Sequence, residues 1–502
     1  VKRRSAPPGA AALVGSLRGL GYSPATAVAD LVDNSIAAGA RTVTIKVEWA
    51  GADSWISITD DGLGMDDAEL EAAMRLGIRS PSDERSGDDL GRFGMGLKTA
   101  SFSMARRLTV ASLREGQPIQ CLRWDLVELE RNPEHGWFIL EGPKPGSEER
   151  LGDLHKSGSG TVVLLEDLDR LVTPEFTADD LHAALDEIEA HLAITFQRYI
   201  EGSHPRLRIL LGGRPIRPID PFMSGHPGKA LADPLTRIPW REPTSIQCNV
   251  LPHPDQLSPE EERHAAGPHG WTGGQGFYIY RNDRLIVAGS WLGLGAGRRW
   301  TRDDAHRLAR IRLDITNNAD ADWELDILKS RARPPVELRR TLLRYAERTR
   351  SKARQVFASR GRTTPAKGGG EAPEPAWVAQ RTSAGTRYRI SREHEAVKVL
   401  LEMSPELRPQ VETMLQLLEE TVPVQRIWLD TAEDRETPLT GFDKRPVSDV
   451  LAPLNTMFAA LLRRGFSPAD ARRRLARTEP FDRYPELVAA LPDGENIQKE
   501  KA

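Results

Sequence analysis

The chain has 502 residues, 39% apolar and 28% charged, which is enough apolar content for real cores and excludes wholesale disorder. Its 69 Lys and Arg against 72 Asp and Glu leave a net charge of −3, which excludes a globally basic nucleic-acid coat but not a local basic patch. Two cysteines, Cys121 and Cys248, exclude a disulfide framework, fit a reducing compartment and occupy no metal spacing.

The length implies about three domains. The basic start, residues 1–12, lacks a continuous apolar run and does not read as a signal peptide, and no later run reaches the roughly 18 residues of a membrane span. Ser23-Pro24 is an N-cap with proline at the first helical position, and Gly39 is a stop, so residues 24–38 are predicted as a helix. Val43, Ile45 and Val47 alternate along a strand over 42–49, and a second strand follows over 55–59. Asp66 caps a helix to about residue 76. Residues 77–91 are polar and turn-rich, the pattern of a functional loop. Strands are predicted near 108–112, 119–124, 137–140 and 161–166. A hairpin is read over 207–216, assigned to a second region, and another over 277–288 around the turn Asn282-Asp283. Residues 310–315 are a strand, 336–357 a long helix, and 363–375, with Gly368-Gly369-Gly370, a flexible linker. Helices over 391–401, 405–421 and 469–475 follow.

Three motifs carry chemistry. On the first long helix, Asp30, Asp33, Asn34 and Ala37 fall at i, i+3, i+4 and i+7 and share a face. Paired acids beside an amide are oxygen ligands suited to a hydrated magnesium, although an isolated motif of this kind is also the composition of a solvated face. Asp60-Asp61-Gly62-Leu63-Gly64-Met65 follows a strand. Its carboxylate can accept from an exocyclic amine, and its glycines let backbone approach a flat ligand, or make a plain strand-to-helix turn. Gly91-Arg92-Phe93-Gly94-Met95-Gly96-Leu97-Lys98 opens a helix, where bare N–H groups and a lysine make an anion site. His253, His264 and His269 have no metal spacing and are read as bland.

The separations Asp33 to Asp60 (60 − 33 = 27) and Gly62 to Gly91 (91 − 62 = 29), with Gly160-Thr161 on a later strand, complete a set. Together these resemble the nucleotide motifs of the GHKL ATPases, the group of gyrase B-type topoisomerases, large heat-shock chaperones, histidine kinases, MutL-type and MORC proteins. The resemblance covers about residues 13–167 and implies an α+β fold with a GHKL (Bergerat) α/β sandwich over 1–200, binding ATP and Mg2+. It implies that Asn34 holds the magnesium, with Asp33 and Ala37 beside it. Asp60 would bond the adenine amino group, supported through water by Thr161, and Gly62, Gly64 and Met65 would line the adenine pocket. Gly91, Phe93, Gly94, Met95, Gly96, Leu97 and Lys98 would wrap the phosphates, and residues 79–90 would form a lid. Asp30 stands where hydrolytic members usually carry Glu. That carboxylate orients or deprotonates the attacking water, so the shorter side chain implies slow hydrolysis.

The run 276–286 with Asp326-Ile327-Leu328-Lys329-Ser330 resembles the transducer domain of MORC, MutL and gyrase B-type proteins. It implies a left-handed-type βαβ fold like that of a ribosomal protein over 201–362, with Lys329 reaching the terminal phosphate. A linker over 363–376 and a mainly helical domain over 377–502 would follow. From Arg331 to Arg362 eleven Lys/Arg stand against Glu337 and Glu347, a balance of 11 − 2 = +9, which fits double-stranded DNA or, as the rival reading, a solvated helix paired with acidic surface elsewhere. The Arg472-Arg473-Arg474 cluster reads either as a further DNA contact or as the flank of a partner-binding helix. The expectation is an ATP-dependent, homodimeric, MORC-like clamp in a bacterial cytoplasm, acting in chromosome handling or antiviral defence, with room for an operon-encoded protein partner. The alternatives are an ATP-driven chaperone or a nucleotide-sensing scaffold that does not hydrolyse.

Overall fold

The computed structural model describes residues 9–77, 96–226, 231–295, 297–320, 322–325, 332–358, 374–382, 385–403, 407–424, 427 and 447–492. The chain divides into two compact units, 1–362 and 363–502.

The larger unit begins with α1 (Ala10–Leu17) and α2 (Pro24–Ala37). Ser23 starts α2 with a reciprocal cap: its hydroxyl accepts from the Thr26 N–H, and the Thr26 hydroxyl accepts from the Ser23 N–H. Strands β1 (Thr42–Glu48) and β2 (Trp55–Asp60), helices α3 (Asp67–Met74) and α4 (Gly96–Met104), and strands β3 (Arg107–Leu113) and β4 (Gln120–Asp125) follow. Then come α5 (Leu126–Arg131), β5 (Leu140–Glu141), β6 (Gly160–Glu166), α6 (Ala178–Thr195), α7 (Gln197–Ile200), β7 (Arg208–Leu211) and β8 (Arg214–Pro215). The eight strands form one sheet in the order β5-β4-β3-β6-β2-β1-β7-β8, antiparallel except for the parallel pair β1/β7. One face of the sheet, with Val43, Ile45, Ile56, Ile58 and Val110, packs in a single core with residues of α2, α4 and α6. Val162, Ala111 and Leu113 form a separate cluster with Leu151 and Leu154, so β6 is buried on both sides.

The second sheet contains β9 (Leu231–Ala232), β10 (Thr236–Ile238), β11 (Thr244–Val250), β12 (Gly276–Arg281), β13 (Arg284–Ser290) and β14 (Ala309–Ile315). Its order is β10-β11-β14-β12-β13, with β9 on β11. Helices α8 (Pro259–Ala266) and α9 (Gly270–Gly273) lie between β11 and β12, and α10 (Val336–Ala358) follows β14. Leu338, Leu342, Ala346 and Ala353 of α10 enter the core of this sheet with Ile311, Leu313 and Trp323. A further cluster of Ile194 on α6 with Phe222, Tyr278, Tyr280 and Leu285 ties the first helical layer to the second sheet.

In the smaller unit, β15 (Trp377–Thr382) pairs with β16 (Gly385–Ile390), followed by α11 (Glu395–Met403), α12 (Arg408–Glu420), α13 (Val447–Arg463), α14 (Pro468–Leu475) and α15 (Pro485–Ala489). Leu454, Phe458, Leu461 and Leu475 form its core.

Four expectations are corrected. The hairpin assigned to the second region belongs to the first sheet, because Ile209 and Leu211 extend the row of β1 in parallel register, so that sheet continues to Pro215. The parallel neighbours β12 and β14 are joined by β13 and irregular chain with a 3-10 turn, not by an α-helix, and α10 comes after them. The smaller unit opens with the β15/β16 hairpin, which alternation over so short a stretch left unread. Helix α6 was not anticipated, although Thr177 with Asp180 is a capping box and Leu181, Leu185, Ile188 and Leu192 follow a helical period.

Gly64 and Gly116 both have positive φ, +68° and +76°, but differ in space. A Cβ on Gly64 would lie 1.9 Å from the Leu113 carbonyl oxygen, while one on Gly116 would meet nothing. Gly116→Ala is therefore expected to cost about 1–2 kcal/mol in urea unfolding, from backbone conformation alone. Gly64→Ala should cost more than about 3 kcal/mol, because overpacking against backbone is added. Equal losses would show that the crossing at Leu113 is not tight.

Candidate functional site

The helix face marked by Asp30, Asp33, Asn34 and Ala37 is divided in the structure. Asp30 and Asp33 are buried, whereas Asn34 and Ala37 are exposed. The reason lies 251 residues away. Arg284, the first residue of β13, points its guanidinium at the two acids: Nε donates to both oxygens of Asp33 at 2.8 and 2.7 Å, and Nη2 lies 3.5 Å from Asp30 Oδ1. All three side chains are less than 5% exposed. Burial alone would drive a proton off Arg284, but Asp33 and Asp30 outweigh it and raise its pKa above the ordinary value. Tyr22 Oη donates to Asp30 Oδ2 at 2.7 Å. Burial and the Asp30 charge push the Tyr22 hydroxyl well above the usual phenol range.

A row of polar side chains crosses three strands at the end of the first sheet. Asp60 on β2 is in register with Thr161 on β6, and Thr161 with Ser112 on β3. Asp60 Oδ2 accepts from Ser35 Oγ at 2.9 Å, and Oδ1 accepts from the Gly62 N–H at 3.0 Å. Thr161 Oγ1 and Ser112 Oγ are 2.8 Å apart, and Ser112 Oγ also accepts from the Met65 N–H at 2.9 Å. Burial raises the Asp60 pKa despite donation from Gly62, Ser35 and the Thr161 backbone. Asp61 does separate work: it accepts from the Arg41 and Thr42 N–H groups and closes the start of β1.

The glycines serve the chain before any ligand. A Cβ on Gly62 would sit 2.9 Å from the Ala38 carbonyl, and one on Gly160, with φ +142°, would sit 2.1 Å from the Asp60 carbonyl. A Cβ on Gly96, at the opening of α4, would lie 3.9 Å from Asp30 Oδ2, so the third motif reaches the first. Leu97 is half-buried against the main core. The buried Nζ of Lys98 donates to the Ala73 carbonyl near the C-terminus of α3 at 2.7 Å, and burial lowers its pKa to about 8. Gly91, Phe93, Gly94, Met95, the lid over 79–90 and Lys329 lie outside the described residues.

A cavity of about 1300 Å³ lies where the first helical layer meets the second sheet. Ser23 and Thr26 of α2, His191 of α6 and Arg284 line it, as do Glu324 and Ala332. Burial, with Arg284 and His269 nearby, lowers the His191 pKa to about 4, so it is neutral at pH 7.

Part of the basic helix is engaged within the fold. Arg348 and Lys352 both bond Asp233, at 2.6 and 2.9 Å. Arg350 lies 4.7 and 4.5 Å from the ring centres of Trp291 and Trp300 and 3.4 Å from Asp303. Arg339, Arg340, Arg344 and Arg354 are exposed. In the smaller unit Arg474 pairs with the buried Glu395 and Arg472 donates to the Leu491 carbonyl, which ties their helix to its neighbours, whereas the exposed Arg473 pairs with Asp470 on its own helix. Among the described residues no group of three or more His, Cys, Asp or Glu is placed to hold a metal, and no helix is long and apolar enough to cross a membrane.

Sequence reasoning missed Tyr22, Ser35, Ser112 and Arg284. Arg284 follows Arg281-Asn282-Asp283 at a turn, where a charge reads as exposed, so nothing local marked it as buried.

Residues 22–161 match the family described as histidine kinase-, DNA gyrase B- and HSP90-like ATPase. This defines the segment as a GHKL-type ATPase domain. Over 234 residues the chain is 26% identical to ATPase morc-1 of Caenorhabditis elegans, covering 39% of this chain and 27% of that relative. It is 37% identical over 92 residues to the DNA mismatch repair protein MutL of Halobacterium salinarum, covering 18% of this chain and 13% of the relative. It is also 30% identical over 135 residues to the MutL of Rhizorhabdus wittichii, covering 26% and 21%. Each match thus spans well under half of the relative's length. Of these three the MORC likeness runs longest: the chain carries a GHKL-type ATPase domain over 22–161 and is similar over 234 residues to a MORC ATPase.

Because burial raises the Asp60 pKa, the folded state holds that proton more tightly than the unfolded chain. Its contribution to stability is full below the unfolded value of about 3.9 and fades as pH rises through the folded value. Asp60→Asn removes this dependence. The stability of the variant minus that of the parent, from urea unfolding, is expected to increase from about pH 3.5 to pH 7. A difference that falls over this range would mean that Asp60 is stabilised as the anion.

Proposed function

We propose that this chain is an ATP-dependent conformational switch that hydrolyses ATP slowly and acts on DNA. The observation that carries this reading is the register of Asp60 with Thr161 on neighbouring strands, the Ser35–Asp60 bond that brings α2 to it, and the buried Asp30 carboxylate close to Gly96. ATP fits this set. Asp60 would accept from the adenine amine, with Thr161 assisting through water, and Gly62, Gly64 and Met65 would form the adenine wall. Asn34 would hold magnesium. Its exposed carboxamide supplies one oxygen, which suits an ion that keeps most of its waters, whereas both oxygens of Asp33 already accept from Arg284. Magnesium when bound supplies charge neutralisation on the phosphates. Ala37 borders this opening. Gly91, Phe93, Gly94, Met95, Gly96 and Leu97 would wrap the phosphates. Lys98, about half-protonated near pH 8, is assigned the anchoring of α4 to α3 rather than direct contact.

Asp30 is the residue that would orient the attacking water. Lys329 would meet the terminal phosphate. The support is that Glu324 and Ala332, on either side of it in sequence, line the cavity that Arg284 also lines. In this reading the ATP-binding domain, with an N-terminal pairing segment, extends from the expected 1–200 to about 215, where its sheet ends, and the transducer takes the rest of the expected 201–362. Residues 363–376 are a linker and 377–502 a mainly helical domain. Two chains would pair on ATP binding and close on double-stranded DNA through the exposed arginines of α10. MutL relatives carry mismatch repair of DNA in their names, which supports a DNA partner. A bacterial cytoplasm, chromosome handling or antiviral defence, and an operon-encoded partner complete the proposal. A switch that binds ATP and scarcely turns it over is the second reading, favoured by the short Asp30 side chain.

Steady-state ATP turnover with and without plasmid DNA, at low and high salt, tests this. Turnover is expected to rise with DNA, and the stimulation should fade steeply with salt. Asn34→Ala should lower turnover at least about 100-fold, and Asp30→Glu should raise it about 10-fold or more. Client-like stimulation insensitive to salt would favour a chaperone. Bound ATP without turnover in every variant would leave the sensor. Arg339→Glu with Arg344→Glu should abolish DNA stimulation and spare basal turnover.

A further inference from the structure

We infer that Arg284, acting with Tyr22, is a positioning residue for the Asp30 carboxylate, so that a side chain of the second sheet sets the geometry of the nucleotide site. The inference rests on the ATPase reading above.

The guanidinium is held on its own side. Asn282 and Asp283, both at positive φ (47° and 64°), form the tight turn before β13. The turn is clamped from the first sheet's side. Tyr199 Oη donates to the Asn282 carbonyl at 2.6 Å, and Arg206 donates to Asp283 Oδ2 at 2.7 Å. Arg284 Nη1 donates to the Leu285 carbonyl at 3.1 Å. The guanidinium therefore has little freedom, and what it fixes is the pair of acids. Its Nε uses both oxygens of Asp33. Its Nη2 faces Oδ1 of Asp30, while Tyr22 engages Oδ2 at 2.7 Å. Asp30 thus has a hydrogen bond at Oδ2 and an ion-pair neighbour at Oδ1, and a Cβ on Gly96 would only reach ordinary contact with Oδ2.

A base one methylene short of glutamate has little tolerance for displacement, since about 1 Å costs on the order of 100-fold in rate. Fixed neighbours at both oxygens supply the precision that such a side chain requires. A merely structural Arg284 would need only its pairing with Asp33. The additional approach to Asp30, completed by Tyr22, is what assigns it to the site.

The full chain tests this with Arg284→Lys and Tyr22→Phe. Lysine keeps the charge and loses the planar fork. Phenylalanine removes a single hydroxyl. Each variant is measured for ADP binding by calorimetry, steady-state ATP kinetics and thermal unfolding. The expected result is kcat lowered about 10–100-fold in Arg284→Lys and about 10-fold in Tyr22→Phe, with the ADP Kd within about threefold of the parent. Should Arg284→Lys fail to fold, Tyr22→Phe decides alone. Folded variants with parental kcat, or with weakened binding and unchanged kcat, overturn the positioning role. A parent chain that neither binds ADP nor turns over ATP overturns the ATPase reading and this inference together, a result distinct from an active parent with unaffected variants.

Discussion

Two buried carboxylates on one turn of helix repel each other and lose their hydration, and α2 tolerates them because Arg284 sits between them. Breaking a buried pair of this kind by removing one partner typically costs about 3–5 kcal/mol, because the remaining charge is stranded. The guanidinium comes from a different sheet, so the ATPase domain and the second sheet are not independent bodies joined by a linker. Their apolar junction packs Ile194 with Tyr278, Tyr280 and Leu285, the last adjoining Arg284 in sequence. Asn34 and Ala37 lie on the same face of α2, one turn further along, and there the face is exposed.

The row Asp60, Thr161, Ser112 has a different origin. It follows from strand register alone, since antiparallel neighbours place these residues side by side. Ser35 from α2 then locks Asp60 from above the sheet. Helix and sheet are thereby fixed relative to each other by one hydroxyl–carboxylate bond, at the point where the nucleotide reading needs both. The polar row is buried yet well partnered, which is the condition under which a polar cluster specifies one arrangement instead of destabilising it.

Much of this was legible from local patterns. The Ser23-Pro24 cap, the alternation through Val43 and Ile45, and the order of the acidic and glycine motifs act over a few residues, and the first half of the first sheet formed where they indicated. Pairings across long separations were not legible. Nothing near Asp33 in sequence announces Arg284, and nothing near Leu207 announces that its strand runs beside β1. The purpose of charges was equally hidden. Arg474 reads as an exposed cation until Glu395 is found beside it, and Arg348 until Asp233 is. Lys98 follows a phosphate-loop pattern by position, yet its ammonium caps the end of α3.

The steric demand at Gly64 and Gly160 bears on how such sequences are told apart. Each is required by a backbone crossing, at Leu113 and at Asp60, whether or not a nucleotide is ever bound. A copy of this gene that had drifted into an inactive scaffold would keep both glycines in order to fold. Asn34 carries no such folding duty, since its side chain faces outward. If Asn34 holds magnesium as proposed, the side chain at position 34 would be the informative letter in a collection of drifting copies.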